Sequence, residues 1–168
     1  MGVAIAVPEP FGGLLRERRA SFGDRLAATV PSHVTLLAPT DVDDDQLGGV
    51  CAALADVAAS RPAFSMRLRG TGTFRPVSPV VFVVVSQGIS STEVLARAVR
   101  ERLEAPEPGF PFHPHVTVAH NVDDAALDRA YDELAGFECE FTVDSFAMYL
   151  HDEREGWRPQ HTFALARP

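Results

Sequence analysis

The feature that most constrains the fold of this chain is an internal repeat. The triplet His33-Val34-Thr35 recurs as His115-Val116-Thr117, and a proline directly precedes each copy. A Val-Asp-Asp triplet follows each copy, and the apolar residues of the next segment recur at identical offsets of 3, 4, 7 and 10 from its leucine. Two copies are too few for a solenoid. The pattern therefore predicts a duplicated strand–helix–strand unit, located around residues 33–74 and 115–150.

The remaining periodicity predicts short strands that alternate with amphipathic helices. We expect strands at 2–7, 33–38, 64–74, 80–86, 115–122, 138–150 and 162–166, and helices at 11–22, 43–59, 90–103 and 123–137. Ser90 with Glu93 is a candidate capping box at the start of the third helix. Gly70 and Gly72 predict a bend or bulge in their strand.

Two related copies can pack about a pseudo-two-fold axis, so that each presents the same strand position to a shared groove. The sequence therefore predicts an α+β fold with two lobes related by duplication. Two antiparallel sheets would face a central cleft, with the helices outside. The length of the chain fits one domain over residues 1–168.

Charge excludes several classes of function. All 15 basic residues are arginine, and the formal net charge is −8. Without lysine, neither a Schiff base nor a P-loop is available. So few cations also weigh against binding along DNA or long RNA, since such proteins neutralise many phosphates. A small nucleotide or an RNA end, held by a few local donors, is the expected partner.

The cysteines and the apolar segments point to a soluble protein of the cytoplasm. Cys51 and Cys139 lack the spacing of metal ligands, and we expect both to be free thiols. The longest apolar run, at 80–85, is far too short to span a bilayer. No segment has the pattern of a signal peptide. We expect no membrane contact and a monomer.

The repeated triplets carry the candidate chemistry. Residues i and i+2 of a strand share a face, so His33 and Thr35 project together, as do His115 and Thr117. Imidazole titrates near neutrality, and one histidine can therefore act as base while a protonated twin acts as acid. Threonine hydroxyls can donate hydrogen bonds to phosphate oxygens. This scheme for breaking a phosphodiester needs no metal and no cofactor, and it does not distinguish which histidine is the acid.

His33-Val34-Thr35-Leu36 and His115-Val116-Thr117-Val118 form two His-x-Thr-x motifs. In this the chain resembles the 2H phosphoesterase superfamily, and within it the 2′-5′ RNA ligase (LigT-like) family. The resemblance implies catalytic roles for His33 and His115 and phosphate binding by Thr35 and Thr117. It also implies metal-independent hydrolysis of 2′,3′-cyclic or related ribose phosphates, with reversible 2′-5′ ligation in some members. Ala119-His120-Asn121 stands where ligase-type members often carry an arginine, a departure that concerns the substrate.

Arg75 is the leading candidate for a further phosphate or substrate contact, because guanidinium matches phosphate geometry. Phe74, Tyr149 and Trp157 could stack a base, although packing in the core or at the rim is the favoured role of each.

Two other functions remain open. One is a non-catalytic module that binds an RNA end or a nucleotide on the same fold. The other is a metal hydrolase that uses His113, His115 and His120.

Overall fold

The computed structural model describes residues 1–167, which form two four-stranded sheets and four α-helices. In chain order the elements are β1 (Gly2–Ala6), α1 (Phe11–Ser21), β2 (His33–Leu37), α2 (Leu47–Ala59), β3 (Phe64–Thr73), β4 (Val80–Gln87), α3 (Ile89–Arg102), β5 (His115–His120), α4 (Asp124–Glu133), β6 (Glu138–Val143), β7 (Ser145–Asp152) and β8 (Gly156–Ala164). Short 3₁₀ helices lie at Arg25–Ala28 and Asp44–Gln46. No helix in this part of the chain is long and apolar enough to cross a membrane.

The predicted α+β architecture of two antiparallel sheets is confirmed. Lobe 1 has the strand order β2-β1-β7-β8, and lobe 2 has the order β5-β4-β3-β6. The two strands that carry the repeated triplets, β2 and β5, are therefore the equivalent edge strands of their sheets, and they pack against each other. The helices interlock the lobes, because α1 packs on β5 and α3 packs on β2.

One continuous hydrophobic core joins the two lobes. Val34 and Val116, the central residues of the triplets, are fully buried in it, as the alternation of side chains along a strand predicts. The flanking histidine and threonine of each triplet consequently face away from this core. Cys51 and Cys139 are both free thiols, and burial raises the pKa of Cys139 to about 11.

The strand predicted over 138–150 is wrong as a single element. It is two strands, and they belong to different lobes: β6 is the outer strand of lobe 2, and β7 is a central strand of lobe 1. The break falls at Asp144, whose carbonyl accepts a hydrogen bond from the backbone N–H of Leu165. Both strands are rich in β-formers, so the sequence pattern does not show where the chain crosses between sheets.

The capping box predicted at Ser90 is also wrong. Helix α3 already begins at Ile89, and its N-cap is Gly88, which makes no side-chain capping hydrogen bond. Gly88 has a φ of 90°, and a Cβ atom there would lie 2.7 Å from the carbonyl oxygen of Ser65. Only glycine fits this turn out of β4, and the turn moves the helix start one residue ahead of the serine.

The two copies of the repeat agree in their first strand and helix and diverge in the strand that follows. After α2 the chain enters lobe 2 as β3, a central strand. After α4 it enters the same lobe as β6, an edge strand. The third elements of the two copies thus occupy different positions in one sheet.

Candidate active site

The two motif strands hold their histidine and threonine side chains in matching registers. In lobe 1, His33 and Thr35 lie opposite Ala6 and Ala4 of β1. In lobe 2, His115 and Thr117 lie opposite Val84 and Phe82 of β4. The candidate groups therefore occupy equivalent positions at the inner edge of each sheet.

Each motif strand also bulges directly after its threonine. In β2 the pairing passes from Thr35 to Leu37, and in β5 it passes from Thr117 to Ala119, while the partner strand advances by one residue. The extra residues are Leu36 and Val118, both buried. A bulge increases the local twist and re-aims neighbouring side chains, and bulges are common next to active sites.

Both imidazoles are oriented by the same hydrogen bond. His33 Nδ1 lies 2.6 Å from the carbonyl oxygen of Pro31, and His115 Nδ1 lies 2.7 Å from that of His113. A carbonyl oxygen only accepts, so Nδ1 carries the proton in each ring. Nε2 of each neutral imidazole is consequently the nitrogen with a free lone pair.

Burial is the main cause that lowers the pKa of both histidines below the ordinary value of 6.5. The charge of Arg19 lowers the pKa of His33 further, and the charges of His113 and His33 lower that of His115. The hydrogen bonds to the two carbonyls oppose this effect. The two rings are carried by β2 and β5, edge strands that pack against each other.

A cleft of about 400 Å³ opens beside the first motif. Lobe 1 contributes His33 and Thr35, and lobe 2 contributes His120, so side chains of both lobes border the same space. Gly2 and Ala4 of β1 line its floor and leave room above the sheet. A second cavity, of about 270 Å³, is lined in part by Ala6, Ala147 and Thr162 of the same sheet.

Tyr149 and Trp157 line the cleft as well, and they pack together in a small apolar cluster with Ala4 and Ala147, as the favoured role at the core or rim predicted. Tyr149 is buried, which raises the pKa of its hydroxyl. Trp157 falls between the strands predicted at 138–150 and 162–166, but it lies in β8 and donates its backbone N–H to the carbonyl of Thr29 at 3.0 Å. The preceding Gly156 has a φ of 75°, and a Cβ atom there would lie 2.7 Å from that same carbonyl oxygen. The Gly-Trp pair was the available sequence signal for this close approach.

In lobe 2 the space beside the motif is filled by aromatic rings. Phe74 and Phe82 lie 5.0 and 5.1 Å from the His115 ring, between ring centroids. Gly72 makes room for Phe82, since a Cβ atom there would lie 2.6 Å from the Phe82 ring. His113 packs on both phenylalanines, at 5.6 and 5.3 Å. This packing accounts for His113 without a ligand.

Arg75 is held by helix α4. Its guanidinium donates to Asp128 Oδ1 at 2.8 Å and lies 3.9 Å from Asp124 Oδ1. A contact between Arg75 and substrate stays a prediction, and it would require exchange of this ion pair. Within residues 1–167 no group of three or more histidine, cysteine or acidic side chains is arranged to hold a metal ion.

Comparison with known proteins relates the whole chain to one superfamily. The family model described as "2'-5' RNA ligase superfamily" matches residues 7–155. A protein of Geobacillus kaustophilus, named "Putative phosphoesterase", is 26% identical over 98% of this chain and 95% of its own length. A protein of the same name from Bacillus cytotoxicus is 29% identical over 83% of this chain and 82% of its own.

Solved structures share the fold. Escherichia coli LigT complexed with 3′-AMP has a TM-score of 0.70 at 21% identity, covering 99% of this chain and 97% of LigT. The same protein complexed with NADP+ has a TM-score of 0.69 at 22% identity, over 98% and 96% of the two chains. TT0787 of Thermus thermophilus has a TM-score of 0.67 at 23% identity, over 98% and 96%.

Proposed function

The chain belongs to the 2′-5′ RNA ligase superfamily, and from this premise we propose that it is a metal-independent phosphodiesterase. Its substrate would be a 2′,3′-cyclic or related ribose phosphate, in a small nucleotide or at an RNA end. The observation that carries the proposal is the matched pair of imidazoles, each with Nδ1 bonded to a carbonyl two residues earlier. This arrangement leaves two equivalent Nε2 atoms for the reacting oxygens.

The reaction needs two proton transfers, one for each imidazole. One neutral histidine takes a proton from water through Nε2 as the water oxygen forms a bond to phosphorus. The other histidine, protonated, gives its proton to the ribose oxygen as the P–O bond breaks. The product is a phosphomonoester, and the two rings have exchanged protonation states. If the 5′-hydroxyl of a second ribose attacks phosphorus in place of water and the 3′ oxygen departs with the proton, the same step forms a 2′-5′ phosphodiester bond.

The lowered pKa of the two imidazoles favours removal of a proton from water more than donation of a proton to the ribose oxygen. A lowered pKa keeps an imidazole neutral near pH 7 and ready to act as a base. The acid must retain its proton, and the negative charge of a bound phosphate raises the pKa of an adjacent imidazole. Binding of the anionic substrate would therefore supply the protonated partner that the free enzyme disfavours.

Thr35 and Thr117 are proposed to donate hydrogen bonds to the non-bridging phosphate oxygens, where negative charge increases in the transition state. Their place two residues after each histidine puts the hydroxyl and the imidazole on one face of the strand. The matching registers give the phosphate one such donor from each lobe.

The nucleoside would bind on lobe 1. The cleft beside Thr35 has Gly2 and Ala4 at its floor and Tyr149 and Trp157 at its wall, which fits a flat base. E. coli LigT has been crystallised with 3′-AMP, NADP+ and ATP, which supports a small nucleotide as ligand for this fold.

Turnover of 2′,3′-cyclic nucleotides in the presence of EDTA tests the proposal, with the product identified by ³¹P NMR. His33→Ala and His115→Ala should each lower kcat by about 10²- to 10⁴-fold, the usual contribution of one proton transfer. His161→Ala, at an exposed position of β8, is the control and should retain full activity.

Three results would contradict the proposal. If both alanine variants keep wild-type turnover, the assigned roles are wrong. Tight binding of nucleotide without turnover would indicate a binding module. Activity lost in EDTA and restored by a divalent cation would indicate a metal hydrolase.

A further inference from the structure

The most deeply buried ion pair among residues 1–167 lies beside the cleft and is not used in the proposed reaction. Arg19, in the last turn of α1, donates from Nε to Asp24 Oδ2 at 2.7 Å. The two side chains are only 6% and 2% exposed, whereas the other ion pairs of this region are at the surface or half-buried. Burying two charges is costly unless they are well paired, so this pair needs a structural or functional reason.

The same carboxylate accepts two backbone N–H groups. Asp24 Oδ1 accepts from Leu26 at 2.9 Å, and Asp24 Oδ2 accepts from His120 at 3.0 Å. Leu26 lies on the wall that leads into β2, and His120 ends β5 of lobe 2. Both residues line the cleft of about 400 Å³. The buried carboxylate of Asp24 therefore connects the two walls of the cleft through one hydrogen bond to each wall.

We propose that Asp24, oriented by Arg19, is a positioning residue that fixes the separation of the two motif strands across the cleft. The inference rests on the proposed function and adds to it a device that holds β5, and with it His115, at a set distance from His33. Asp24 does not touch the reacting atoms, and its positioning effect on the reaction passes through the backbone of His120.

The ion pair also acts on the charge of the first catalytic histidine. The charged and titratable groups near His33 are Arg19 from α1 with its partner Asp24, His115 from β5, and His120 and Tyr149, which line the same cleft. Arg19 lowers the pKa of His33, and the carboxylate of Asp24, 2.7 Å from Arg19 Nε, carries the opposite charge. Removing the arginine and removing the carboxylate should therefore shift the titration of His33 in opposite directions.

An NMR titration of the histidine Cε1–H signals tests this directly and needs no substrate. In Arg19→Met the midpoint of His33 should rise, and in Asp24→Asn it should fall. Asp56→Asn is the matched control, because Asp56 pairs with Arg102 at 3.0 Å on the exposed surface. It should leave the His33 midpoint unchanged. Shifts of the same sign in both test variants, or no shift, would overturn the electrostatic part of the inference.

Steady-state kinetics test the positioning part. Asp24→Asn and the double variant Arg19→Met/Asp24→Leu should lower kcat by about 10- to 100-fold, since small misplacements of reacting groups cost this much, with a smaller change in KM. The double variant buries no unpaired charge and therefore serves if a single variant fails to fold. Circular dichroism establishes that each variant is folded at the assay temperature.

The outcomes of the two proposals are separable. Folded variants with wild-type kcat would overturn the positioning role while leaving the proposed function intact. A wild-type protein without turnover would remove the proposed function. The NMR titration would then still decide whether Arg19 and Asp24 act on the charge of His33. Nuclear Overhauser contacts between Leu26 and His120, compared in wild type and Asp24→Asn, would decide whether Asp24 fixes the separation of the two walls.

Discussion

The two lobes present the same motif in the same register but differ in the residue beside it. Ala4 lies opposite Thr35 in lobe 1, and Phe82 lies opposite Thr117 in lobe 2. The alanine leaves a cleft of about 400 Å³, while the phenylalanine packs over Gly72 and against His115. The duplication thus supplies a symmetric pair of candidate groups, which we propose bind a phosphate. The residue on the neighbouring strand decides which lobe has open space beside its motif.

Loss of either threonine hydroxyl tests what the two lobes share, and among the tests of this comparison it should have the largest effect. Thr35→Val and Thr117→Val each remove one hydrogen bond to a charged group, which contributes roughly 1.5–3 kcal/mol. We expect kcat/KM for a 2′,3′-cyclic nucleotide to fall by about 10- to 100-fold in each variant. Thr142→Val, at an exposed position of β6, is the control. A large loss in one lobe with none in the other would show that the lobes are not equivalent toward the phosphate.

Filling the cleft of lobe 1 tests the difference between the two lobes. Ala4→Phe introduces the residue that lobe 2 has at the matching position, and it should occlude the space beside Tyr149 and Trp157. Base stacking contributes about 1–3 kcal/mol, so we expect KM for the nucleotide to rise about tenfold with a smaller change in kcat.

Ala55→Phe, on the exposed face of α2, controls for the added ring and should leave KM unchanged. Inorganic phosphate should inhibit Ala4→Phe as well as wild type, because the motif residues remain. Unchanged KM in a folded Ala4→Phe variant would place the nucleoside elsewhere.

The pH dependence of stability is the smallest expected effect and compares the two imidazoles directly. Both histidines have a pKa below 6.5 in the folded protein, chiefly because of burial. The unfolded chain therefore binds more protons as the pH falls below about 6.5, and the free energy of unfolding should decrease there. Above that pH the two histidines are neutral in both the folded and the unfolded chain, and the effect on stability is absent.

Urea denaturation at a series of pH values measures this slope. His33→Asn and His115→Asn retain an N–H donor for the carbonyl and remove the titration, so each should flatten the curve between pH 7 and 5. An unchanged slope in both variants would contradict the lowered pKa of the two imidazoles.

Much of the fold followed from local patterns. The helices at 11–22, 43–59 and 123–137 were predicted because one face of each is apolar, and the structure differs from these bounds by a few residues. The buried valines of the two triplets followed from the alternation of a strand. The predictions were wrong at two places that the local pattern does not mark. The chain changes sheets at Asp144, and a left-handed turn at Gly88 starts α3 early.

The candidate site divides in the same way. The repeat by itself identified His33, Thr35, His115 and Thr117, because two copies of a short motif in one chain are rare enough to be informative. Tyr149 and Trp157 were named as side chains that could stack a base, with packing in the core or at the rim as the favoured role, and this packing is confirmed. Arg19 and Asp24 were missed, since a charged pair five residues apart has no signature that distinguishes a buried pair from a solvated one.

The sequence alone determined the duplication, the residues that carry the candidate chemistry and the face on which they lie, because these depend on spacings along a strand. The tertiary structure decided how far apart the two motifs are, which lobe holds a cleft and which charges are buried beside it. Those properties depend on contacts between residues that are far apart in the sequence, such as Asp24 and His120. Such contacts exist only after the two sheets have packed together.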